Sequence, residues 1–125
     1  MGSNPAPGFK ARPDHRITLG DGTARVRLTH RGAVIADTKN AIILNEASYP
    51  PRYYIPQADV AMDRMAGTDR KTHCPFKGDA RYWSLTVDGE TLDNVAWAYD
   101  QPFDEMAALA GHIAFDTDRV DLIDA

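Results

Sequence analysis

Residues 81–99 constrain the fold more than any other stretch of the chain. Trp83, Leu85 and Val87 alternate with Tyr82, Ser84 and Thr86. A period of two sends successive side chains to opposite faces of a strand. Asp88-Gly89 follows. A two-residue turn of this type takes positive φ at both positions, which matches the twist of the strands it joins. That turn sets Leu92 opposite Leu85. Beyond Leu92 the phase changes, because Val95, Trp97 and Tyr99 fall on odd positions. A β-bulge near Asp93-Asn94 accounts for the change and brings Trp97 onto the face of Trp83.

Residues 25–37 repeat the pattern. Val26 and Leu28 alternate with Arg25, Arg27 and Thr29, and Arg31-Gly32 supplies a turn that places Leu28 opposite Ile35. Ala41 to Leu44 reads as a third strand. Arg52 to Ile55 is extended, but Pro51 and Pro56 bracket it, and prolines belong at edges and ends, so it is not expected to be central. Pro56 to Asp59 suits one helical turn, Val60 to Met62 an extended path, and residues 67–71 a polar loop. Residues 104–110 suit a helix: Pro102 opens it, Asp104 and Glu105 favour its positive end, Met106 and Leu109 share a face, and Gly111 stops it. His112 to Phe115 and Val120 to Ile123 close the chain as strands.

The Asn4-Pro5-Ala6-Pro7-Gly8 run is expected to hold neither helix nor central strand. Residues 1–12 therefore read as a flexible lead-in and residues 13–125 as a single domain, since 125 residues leave no room for a second. The fold class is mostly β: curved antiparallel sheets with one short helix near the C-terminus.

Charge and composition narrow the partners. The net charge is −4, from 14 basic and 18 acidic residues, and the longest basic excess is Arg70-Lys71. Phosphate-backbone binders carry a basic patch or stripe, so no nucleic acid is expected. No run approaches the roughly 18 to 20 apolar residues of a membrane helix, and none is expected to meet a membrane. Met1 to His15 lacks the features of a secretory leader, and the single Cys74 allows no internal disulfide. Both favour the cytoplasm. His15, His30, His73, Cys74 and His112 show no HxxxH or CxxC spacing, so neither metal nor cofactor is expected. Oligomeric state is not written in the sequence.

Cys74 is the one candidate nucleophile. Lys77 or an imidazolium would lower its thiol pKa. His73, its neighbour on an extended chain, points away from it, so His15, His30 or His112 would have to supply that ring. The competing reading is a small buried apolar side chain. Pro75-Phe76-Lys77-Gly78 restricts the backbone on either side of Lys77 and can aim its ammonium at an anion. Tyr53, Tyr54, Trp83, Trp97 and Tyr99 are more aromatic surface than a small core buries, so part of it is expected to wall a ligand groove.

In order and spacing, a set of phrases resembles the family known as domain of unknown function 427. They are Tyr53-Tyr54-Ile55-Pro56 with Asp59-Val60, Thr72-His73-Cys74-Pro75-Phe76-Lys77-Gly78, Tyr82-Trp83, Val95-Ala96-Trp97-Ala98-Tyr99 and Asp118-Arg119-Val120. The likeness reaches His15-Arg16-Ile17 and the hairpin from Val26 to Asp37. The resemblance implies a β-tent type of fold, in which coiled sheets lean together around a groove. Relatives in that wider group bind zinc through paired CxxC knuckles, which one cysteine cannot form. A nucleotidyltransferase-like heading also attaches to the family, but this chain has no glycine-rich phosphate loop.

The leading expectation is a module that binds a small polar or anionic molecule through Tyr53, His73, Lys77, Trp83, Trp97 and Tyr99. The alternatives are a thiol-dependent enzyme using Cys74, a protein–protein interaction domain and, last, a nucleotidyltransferase-like activity.

Overall fold

A computed structural model describes residues 4–21 and 25–124 of the chain. A short helix, α1 (Pro7–Ala11), precedes ten strands: β1 (Ile17–Asp21), β2 (Val26–His30), β3 (Ala33–Thr38), β4 (Ile42–Glu46), β5 (Arg52–Pro56), β6 (Met65–Cys74), β7 (Gly78–Val87), β8 (Glu90–Tyr99), β9 (His112–Phe115) and β10 (Asp121–Asp124). Seven strands form one sheet in the order β1-β4-β5-β9-β8-β7-β6, and three form a second in the order β10-β2-β3. Every named pairing is antiparallel.

The period of two divides the large sheet into two faces. Ile55, Trp83, Leu85, Val87, Ala96, Ala98, Ile113 and Phe115 point toward the small sheet and pack on Val26, Leu28, Ile35 and Ala36. Leu44, Tyr54, Ala80, Tyr99 and Ala114 point the other way and meet Met106 and Leu109. Burying the valine, leucine, isoleucine, phenylalanine and methionine side chains among them stabilises by about 1.5 to 3 kcal/mol each, so both clusters hold the sheet in shape.

The sheet also curls. Between β4 and β7 lie β5, β9 and β8, so a flat sheet would hold β4 and β7 roughly 19 Å apart at the usual strand spacing. Yet Lys77, in the turn before β7, reaches Glu46 on β4 at 2.7 Å. The second face is therefore concave.

Both hairpin turns form as expected, with positive φ at Arg31 and Gly32 and at Asp88 and Gly89, and Leu85 pairs with Leu92. Several expectations need correction. Leu28 pairs with Ala36 rather than Ile35, because the register shifts between Leu28 and Thr29. The bulge in β8 is present, with Asn94 at φ 52°. It absorbs two residues rather than one, since Trp83 pairs with Ala96 and Leu85 with Leu92. Two extra residues preserve the parity, so Trp97 pairs with Tyr82 on the face opposite Trp83.

Strand β5 is interior, between β4 and β9. Pro56 is its last residue, where a missing N–H interrupts no ladder. Residues 67–71 belong to β6, although the pairing is irregular between Gly67 and Lys71. The α-helix lies at the N-terminus, where Pro7 occupies the first turn and its lost N–H costs nothing. Gly8 donates to the Pro75 carbonyl at 2.8 Å. Asp104–Leu109 is 3₁₀-helical, with a kink at Met106. No helix among the described residues is long and apolar enough to cross a membrane.

Candidate functional site

The concave face carries a cavity of about 510 Å³, within the range that holds a small ligand. Alternation explains its wall. Leu44 and Glu46 come from β4, Arg52 and Tyr54 from β5, Tyr82 from β7, and Trp97 and Tyr99 from β8, all lining one hollow. Arg70 of β6, Asp93 and Asn94 of β8, and Asp116 and Arg119 of the β9–β10 connection also line it.

Lys77 anchors the floor. It is buried because the turn is braced twice: the Phe103 amide donates to the Lys77 carbonyl at 2.9 Å, and Gly78 takes a φ of +126° against the Gln101 carbonyl. A side chain at Gly78 would be strained there. The Lys77 ammonium donates to Glu46 Oε1 at 2.7 Å and to Cys74 Sγ at 3.6 Å. His15 Nε2 meets the other Glu46 oxygen at 2.8 Å, and its ring stacks on Phe76 with centroids 4.1 Å apart. Burial raises the Glu46 carboxyl's pKa, but the bonds from Lys77 and His15 together outweigh burial and hold it below the ordinary value.

Three phenols, Tyr54, Tyr82 and Tyr99, and the Trp97 indole form the aromatic wall. Trp97 Nε1 donates to the Tyr54 hydroxyl at 3.4 Å, and Tyr54 and Tyr99 lie 6.4 Å apart between ring centroids. Burial pushes the Tyr54 pKa up to about 12, partly offset by the Trp97 bond. Burial pushes Tyr99 up as well. Both are neutral at physiological pH. Arg52 sits over Trp97, 5.5 Å from the ring centroid, and Arg70 over Tyr82 at 4.9 Å, distances suited to cation–π contact. Neither guanidinium has a carboxylate partner among the described residues, whereas Arg119 is paired with Asp116 at 3.2 Å.

Of the residues singled out from sequence, Lys77, Trp97 and Tyr99 meet in this cavity. Tyr53 and Trp83 sit on the opposite face, against the small sheet, and Arg81 covers Trp83 at 4.4 Å. His73 is exposed at the sheet edge, where Nδ1 meets Asp79 at 2.7 Å, and lines a separate hollow with Phe103. Cys74 packs beside the second cluster and is not on the cavity wall. Sequence reasoning missed Glu46, Arg52, Tyr82 and Arg70 as site residues. Tyr54 was visible as one of an adjacent pair, of which strand alternation must send one side chain to each face.

Among the described residues, no group of three or more His, Cys, Asp or Glu side chains is placed to hold a metal ion. The family model described as a domain of unknown function (DUF427) matches residues 18–125. The chain belongs to this family. The matched span takes in every strand of this DUF427 member except the first residue of β1. No curated protein matches the chain.

Proposed function

We propose that the chain binds a small anionic molecule carrying a flat ring, in the groove between Trp97, Tyr82 and Tyr54. The observation that carries this reading is the pair of guanidiniums, Arg52 and Arg70. They flank the aromatic wall of a roughly ligand-sized cavity without carboxylate partners of their own. A planar guanidinium recognises carboxylate or phosphate through paired donors, and the rings beside it supply stacking surface. Lys77 does not greet the anion directly, because Glu46 already neutralises it. It holds the two ends of the curled sheet together. The leaning sheets of a β-tent suit this arrangement, with the ligand on the concave face.

The thiol reading is weaker. Lys77 lies 3.6 Å from Cys74 Sγ, but the sulfur does not face the cavity in which a substrate would sit.

A thermal-shift screen of aryl carboxylates, aryl phosphates and nucleotides, followed by calorimetry on the compounds that stabilise, tests the proposal. Arg52→Ala and Arg70→Ala should each weaken binding about tenfold, or roughly 1.4 kcal/mol, with the melting temperature of the free protein little changed. Binding that is indifferent to both substitutions would place the ligand elsewhere.

A further inference from the structure

The cavity has a chemically different inner end. Its exposed lining holds Arg70, Asp93 and Arg119, while its buried lining is Leu44, Tyr54, Lys77 and Tyr99. Tyr99 is 7% exposed, lines the cavity, and its hydroxyl has no hydrogen-bond partner among the described residues. No fully enclosed side-chain polar atom among those residues lacks a partner, so this hydroxyl keeps some accessible surface on a side chain that lines the cavity. Tyr54 accepts from Trp97 Nε1, which leaves its own O–H free to donate. Two neutral phenols therefore offer donors from neighbouring rings, and the nearby cation, Lys77, is already committed to Glu46 and Cys74. Buried donors are costly to leave unmade. The Glu46 carboxylate on the same wall disfavours a second anion beside it.

From this we infer that the inner end, formed by Tyr54 and Tyr99, is a subsite for an uncharged carbonyl oxygen, so that the ligand class is an aryl oxo acid. This rests on the ligand reading of the groove, with the acid group at Arg52 and Arg70 and the carbonyl accepting from the two phenols. A site built to hydrogen-bond an oxygen rejects the analogue that lacks it, because its own donors are then stranded.

Matched pairs of probes separate the two ideas. Benzoylpropionate and phenylbutyrate differ by one carbonyl, as do benzoylbutyrate and phenylvalerate. In calorimetry with the full chain, the oxo member of at least one pair should bind about tenfold tighter or better. Tyr99→Phe should abolish that preference while leaving the affinity for the oxygen-free member within about twofold, and Tyr54→Phe should reduce the preference. Arg52→Ala should weaken both members alike. Equal affinities within each pair, or a preference that survives Tyr99→Phe, overturn the carbonyl subsite and leave the anion groove standing. Failure of every probe and every anion in the wider screen to bind overturns both.

Discussion

Glu46 ties together parts of the chain that are distant in sequence: His15 before β1 and Lys77 between β6 and β7. Its side chain is 18% exposed and that of Lys77 10%, so neither charge is well solvated. Removing one member of such a pair leaves the other buried without compensation. Glu46→Gln should therefore lower stability by about 3 kcal/mol at neutral pH, measured by urea unfolding. The pH dependence has a definite sign. The folded-state pKa lies below the ordinary 4.5, so the stabilisation is complete above that value and is lost as pH falls through the lower folded-state value. The gap between wild type and Glu46→Gln should shrink as the solution is taken from neutral to about pH 3. A gap that stays constant over that range would mean the carboxylate's charge is not what stabilises the turn.

At the level of elements, the β8 bulge decides which aromatic residues share the groove. Asn94 sits there with φ 52°, its Oδ1 accepts from the Thr68 hydroxyl at 2.6 Å and its backbone N–H donates to Ser84 Oγ at 3.0 Å. Asn tolerates this left-handed conformation and a β-branched residue does not. Asn94→Val should cost about 2 kcal/mol, and Asn94→Gly clearly less, as read from paired denaturation curves. Similar losses for both would show that the positive φ carries no cost. Helix α1 is a second such case. A Cβ on Gly8 would lie 2.8 Å from the Phe76 ring and from the Pro75 carbonyl. Gly8→Ala should therefore detach α1 from the turn, costing about 1 to 3 kcal/mol and speeding amide exchange at residue 8. Unchanged exchange there would contradict this packing.

The break in the apolar alternation after Leu92 was legible, and so was the need for a bulge. Its size was not, because one extra residue and two explain the same string of letters while placing Trp97 on opposite faces. The interior position of β5 was hidden for a related reason: Pro56 ends a ladder rather than interrupting one. Helix α1 depends on its contact with Pro75, and residues far apart in sequence give no local sign of it.

Across the whole molecule, the division of the large sheet into a packed face and a concave face organises everything else. The short-range signals, two turns and their alternating flanks, establish the strands and the mostly antiparallel-β class. Curl comes from long-range contacts such as Lys77 with Glu46, and it alone turns the alternate side chains on one face of neighbouring strands into a cavity. That is why Lys77, Trp97 and Tyr99 were recognisable one at a time, while Glu46, Arg52 and Arg70 read as ordinary polar positions until the sheet closed around them.

The two tryptophans report on the two faces separately. Trp83 is buried against the small sheet, and Trp97 lines the groove with its indole N–H on Tyr54. A nitrogen–proton correlation spectrum resolves one indole signal from each, assigned by Trp83→Phe and Trp97→Phe. Titration with an aryl acid that stabilises the protein should shift the Trp97 signal progressively and leave the Trp83 signal in place. A shift of Trp83 with Trp97 unmoved would put the ligand on the wrong face and contradict the concave face as the binding site.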